Sequence, residues 1–160
     1  MNISGMAKLA LKAAAVLILI ALGACSGGES RLVLHTAKGA FTFNIEIADD
    51  GKERAQGLMF RDTLASDAGM LFDYFEEQET SFWMQNTLIP LDMIFIGADG
   101  VVKNIHVNAK PLDTTGIPSG VPVRFVLEIP GGRSKEISLA IGDRMEHPRV
   151  QPPARAGRAP

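Results

Sequence analysis

Between residues 41 and 47 the chain alternates Phe41, Phe43, Ile45 and Ile47 with Thr42, Asn44 and Glu46. A period of two is the pattern of a strand with one buried face. Segments of similar length recur along the chain, and turn residues punctuate them. Arg31 to His35 precedes the alternating strand, with Lys38-Gly39 as the hairpin turn. Met70 to Phe75, Ser81 to Met84 and Leu91 to Ile96 follow, and Asp99-Gly100 then announces a hairpin into Val101 to Val107. After a Pro/Gly/Thr-rich loop from Ala109 to Pro122, Val123 to Ile129 and Ile137 to Ile141 continue the series, with turns at Gly131-Gly132 and Gly142-Asp143. One substantial helix is expected, short, over Lys52 to Gln56, with Asp49-Asp50-Gly51 supplying turn and N-cap chemistry and Gly57 ending it. Such a chain predicts a mainly β, single-domain fold, an antiparallel meander closed into a sandwich or a partly open barrel.

Cys25 is the only cysteine, so no intramolecular disulfide can form and the fold must rest on its core. Ahead of it, Lys8 and Lys12 precede an apolar run from Ala13 to Leu22, and Leu22-Gly23-Ala24-Cys25 closes the segment. This is the pattern of a bacterial secretion signal ending in a lipobox. The run is much shorter than the roughly 20 residues that span a bilayer as a helix. Residues 1–24 are therefore expected to be cleaved, with a lipid on Cys25 and a linker from Cys25 to Ser30; an ordinary secretory signal is the alternative. Ser26 after the cysteine favours the outer membrane over the inner one by the sorting rules of enteric bacteria. The expected location is membrane-anchored and facing the periplasm.

Removing residues 1–24 takes away two lysines and no acid, so the net charge moves from −2 to −4. The stretch from Cys25 to His147 carries 11 basic and 18 acidic side chains. Phosphate binding is built on clustered Lys and Arg, so nucleic acid is excluded as an expected partner. The segment from Pro148 to Pro160 holds three arginines, no acid and little to bury, and is expected to be a disordered tail. The β domain is thus expected over residues 31–147, with roughly 115 residues being enough for one core.

Polar residues set among apolar ones mark candidate chemistry. Arg61, Asn86, Thr87 and Asp92 sit in the block from Gly57 to Gly100, and Glu128 lies in a later apolar strand. Each must be paired, solvated or used, since an unpaired buried polar group costs roughly 1–3 kcal/mol. Arg61 could hold Asp92 bidentately. Asp92 and Glu128 could form a general acid and base, a metal site with His106, or an internal ion network with Arg61 and Arg124. Asn86-Thr87 suits an Asx-type turn or the mouth of a pocket. His35, His106 and His147 are too scattered for a zinc site, and methionine is commoner as core filler than as a Cu(I) ligand. No metal or other cofactor is expected.

The runs Gly57-Leu58-Met59-Phe60-Arg61, Gly69-Met70-Leu71-Phe72, Trp83 to Asp92, Val126-Leu127-Glu128 and Gly142-Asp143 resemble, in order, the signature of the domain of unknown function 192 family. The resemblance spans about Leu32 to Glu146 and implies a compact sandwich or jelly-roll, usually exported. It implies no activity, cofactor or catalytic residue. The functional expectation is a binding domain of the cell envelope, with a glycan, protein or small molecule held near Arg61, Asn86, Thr87, Asp92 and Glu128. A hydrolase or lyase using Asp92 and Glu128, and a purely structural component, are the alternatives.

Overall fold

The computed structural model describes residues 28–150; the expected signal segment and lipidated Cys25, and residues 151–160 of the expected tail, lie outside them. In chain order the elements are β1 (Arg31–Thr36), β2 (Gly39–Ala48), α1 (Gly51–Gln56), β3 (Ala68–Gln78), β4 (Ser81–Phe82), β5 (Leu91–Ile96), β6 (Val102–Ala109), β7 (Ile117–Pro118), β8 (Val123–Pro130), α2 (Arg133–Glu136) and β9 (Arg144–Glu146). Seven strands form one mixed sheet in the order β6-β5-β8-β3-β2-β1-β9, and β4 pairs with β7 in a small ribbon. The sheet curls into a half-barrel. A bridge between Val101 and Arg144 joins its two ends, and the amide of Met145 reaches Gly100 O at 2.7 Å. Gly100 permits that approach, because a Cβ there would lie 2.7 Å from Met145 O and its φ is +76°.

The alternation read from the sequence places two cores on the two faces. Leu32, Leu34, Phe43, Ile45, Leu71, Ile94, Ile96, Phe125, Leu127 and Ile129 fill the concave side. Met70, Phe72, Met93, Phe95 and Val126 form the other face, covered by Leu58, Met84 and the chain around them. β5 and most of β8 are therefore buried on both sides, which explains their near-continuous apolar sequences.

Two expectations are corrected. The strands do not form a meander: β2 and β3 run parallel, and β8 inserts between β3 and β5. Residues 49–67, with α1, supply the long crossover that a parallel pair requires. Residues 137–141 are not a strand, because the chain has wound into α2 just before them. The cause is Asp92, whose carboxylate accepts from Gly132 N and Ser134 N, both at 2.8 Å, and from Ser134 Oγ. Holding those amides turns the segment and leaves Ile137 in the concave core and Ile141 on the surface. At α1 the expectation holds: Asp50 accepts from Lys52 N and Glu53 N, and Glu53 completes the capping box.

Residues 148–150 belong to the fold. Arg149 bonds Asp49 at 2.7 Å and Glu29 at 3.0 Å, and Val150 packs on the concave core. Burial opposes the charge of Arg149, but Glu29 and Asp49 hold the guanidinium above its ordinary range.

Candidate functional site

The structure disperses most of the expected polar site. Arg61 turns to the surface and grips Glu46 with both terminal nitrogens. The bond with Arg61 holds the Glu46 carboxyl below its usual range, and the same bond raises Arg61. Asp92 meets no cation among the described residues; besides the α2 donors it accepts from Asn108 N at 2.7 Å. Four bonds thus tie β5 to β6 and to the chain after β8, which is a structural role. Asp92 is paired with Ile129 and faces the concave core, while Glu128 is paired with Met93 and Met70 and faces the other. The two carboxylates lie on opposite sides of the sheet, so they form neither an acid and base pair nor a shared metal site.

Arg124 is also committed elsewhere. It makes a bidentate pair with Asp73 at 3.0 and 3.1 Å, deep in the fold. Burial works against the Asp73 charge, yet bonds from Arg124 and the Phe75 amide bring its carboxyl below the usual range. His35 pairs with Glu146, His147 bonds Glu29 O, and His106 is exposed. No cluster of metal-ligating side chains occurs among the described residues.

Glu128 and Thr87 do come together. Both line a cavity of about 90 Å³ with Gly57, Leu58, Phe72, Tyr74, Phe82 and Trp83. Glu128 is 5% exposed and has no hydrogen-bond or ion partner among the described residues. Burial alone pushes its carboxyl from an ordinary 4.5 up to about 8. Gly57 keeps space open above it: a Cβ there would come within 4.0 Å of Glu128 Oε2 and 3.2 Å of the Phe72 ring. With φ at +47°, the position is strained for any side chain.

The aromatic wall is ordered by edge contacts, with Phe82 set edge-on to Phe72 at 5.0 Å and to Phe95 at 6.3 Å between centroids. Arg54 lies along the wall, its guanidinium 5.1 Å from the Tyr74 centroid, with Nη1 bonding Asp49 O and Asp73 O. Around the mouth, three loops meet through backbone bonds. Phe60 N donates to Asn86 O at 2.9 Å, and Leu112 N to Thr87 O at 3.1 Å. Phe60, Asn86 and Leu112 all have positive φ, and Phe60, Trp83, Leu88 and Leu112 expose large apolar surfaces. Bulky residues in that backbone region persist only where their surroundings hold them.

Sequence reasoning missed Arg54 and Tyr74, which carry no local signal, and gave Trp83 no place in the pocket. The interleaving of Phe82 and Trp83 with Asn86 and Thr87 was the available clue.

Residues 33–147 match the family described as DUF192, Uncharacterized ACR. The chain belongs to this family. Two crystal structures are similar to this DUF192 chain. One, of a candidate transcription regulator from Sinorhizobium meliloti 1021, is 43% identical, with 75% of this chain and 94% of that one covered and a TM-score of 0.73. The other, of a protein of unknown function from Novosphingobium aromaticivorans DSM 12444, is 40% identical over 72% of this chain and 83% of that one, with a TM-score of 0.71. No curated protein matches the chain. The relatives thus share the DUF192 fold and leave its chemistry to be read from the pocket.

Proposed function

We propose that this DUF192 chain is an exported lipoprotein whose domain binds a ligand of the cell envelope in the pocket containing Glu128 and Thr87. The observation that carries the reading is the buried Glu128 carboxyl, without a partner among the described residues, at the wall of a cavity that four aromatic residues help to line. Its oxygens open onto the cavity and not onto a protein donor among the described residues, so whatever satisfies them must enter through the pocket. Exposed Phe60, Trp83, Leu88 and Leu112 beside the opening add surface for a larger partner to cover. The lipobox at Leu22 to Cys25 supports anchoring, and the acidic body supports a partner other than nucleic acid.

The test of the pocket is a thermal-shift screen of full-length protein in a non-ionic detergent against sugars, peptidoglycan fragments, amines and peptides, with Glu128→Gln in parallel. A ligand at about a hundredfold excess over its Kd should add about 2.7 kcal/mol of stability. A shift present in the parent and lost in Glu128→Gln is the expected result; equal shifts in both would move the site elsewhere. Anchoring is checked by radiolabelled palmitate, which should mark the parent and leave Cys25→Ala unlabelled. Proton donation by Glu128 is a second reading, favoured because its carboxyl keeps its proton up to about pH 8. It requires turnover that Glu128→Gln abolishes while binding survives.

A further inference from the structure

Resting on the pocket assigned above, we propose that its ligand is an organic cation, an ammonium or guanidinium group on an apolar stem, which enters beside Trp83 and pairs with the Glu128 carboxylate. Among the described residues, Glu128 is the only acid lining the cavity, and it has no counter-ion there. Phe72, Tyr74, Phe82 and Trp83 are among the lining residues, and aromatic rings attract cations. Arg54 already displays that preference, since its guanidinium rests on the Tyr74 ring. Its position is fixed by two backbone carbonyls, so it remains on the wall rather than reaching for Glu128.

The surroundings agree in sign. Glu76, Glu77 and Glu79 are exposed on the chain between the lining residues Tyr74 and Ser81, and the body as a whole is acidic. Outside the pocket that field repels an anion and draws a cation inward. Inside it, Glu128 is neutral near pH 7 until a cation displaces its proton, and the Arg54 charge is committed to the Tyr74 ring and two backbone carbonyls. A cavity of about 90 Å³ suits a head group, with the apolar stem left to lie against Trp83 and Leu58.

Proton exchange gives the inference a signature of its own. The charged or titratable groups turned toward the pocket are Arg54 from α1, Tyr74 from β3 and Glu128 from β8; Met70 and Met93, paired with Glu128 on either side, carry no charge. Near pH 7 the empty site holds the Glu128 proton. An entering ammonium replaces it: the neutral acid and the cation become an ion pair, and one proton passes to solvent. Affinity should therefore rise about tenfold per pH unit below pH 8 and level off above it.

The experiment is calorimetric titration of the full-length protein with butylammonium, and separately with N-acetylglucosamine, in two buffers of different ionisation enthalpy. Binding of butylammonium with release of close to one proton per site at pH 7, weakened at least about tenfold in Glu128→Gln, is expected. Gln has the shape of the protonated acid and should fold; Trp83→Ala, at an exposed position, should weaken binding without altering proton release. Butylammonium binding without proton release, or undiminished in Glu128→Gln, overturns the cation assignment. If N-acetylglucosamine alone binds and does so through Glu128, the pocket stands and the cation falls. If neither binds, the cation assignment fails, and the broader screen above decides the pocket.

Discussion

Two carboxylates on neighbouring strands, Asp92 and Glu128, have opposite fates because of one residue of register. Asp92 is satisfied four times over and Glu128 by nothing among the described residues. Asp92→Asn should leave donors from the α2 end unpaired and cost about 3 kcal/mol, read as a lower urea midpoint. Glu128→Gln should behave in the opposite way. The unfolded chain loses the Glu128 proton near pH 4.5 and the folded one near pH 8, so the folded state binds more protons between these values and stability falls as pH rises through that window. Gln removes this decline, so the variant should gain on the parent progressively from pH 4.5 to 8, by a few kcal/mol at the upper end. A pH series of urea unfolding curves checks it, and a constant gap would refute it. The sequence showed that both residues sit in apolar strands and which neighbours share each one's face. It could not show how the faces of two strands correspond, because periodicity within a strand carries no information about pairing between strands.

At the scale of elements, local chemistry was legible and long-range chemistry was not. β5 begins and ends at the residues where its apolar run does, and α1 is fixed by its own capping box. α2 is set by a carboxylate some forty residues earlier in the chain, so its segment, read alone, resembles a strand. The final segment teaches the same lesson. Pro148 to Val150 looks like the start of an unburied tail, yet Arg149 reaches Glu29, Asp49 and Asp73 while Val150 joins the concave core. A chain ending at His147 should therefore be less stable than one ending at Val150, by about 2 kcal/mol, and Arg149→Ala should account for much of the difference. Thermal unfolding of the three proteins measures this; equal midpoints would show that the segment contributes nothing.

Across the whole molecule, the concave core and the pocket-bearing face share β3, β5 and β8, so neither can melt while the other stays intact. Trp83 is the only tryptophan and stands at the pocket mouth, which makes it a reporter for that face. Its fluorescence and the far-UV circular dichroism of the sheet should follow one urea transition. An earlier fluorescence change would mean that the pocket wall opens separately. The seam between Val101 and Arg144 has a different bearing on association between copies. An open sheet presents unpaired amides and carbonyls on which a further strand can grow, and a protein at high local concentration would meet copies of itself constantly. By pinning its first and last strands to each other, this sheet shortens the edges available for such growth, so crowding has little to template.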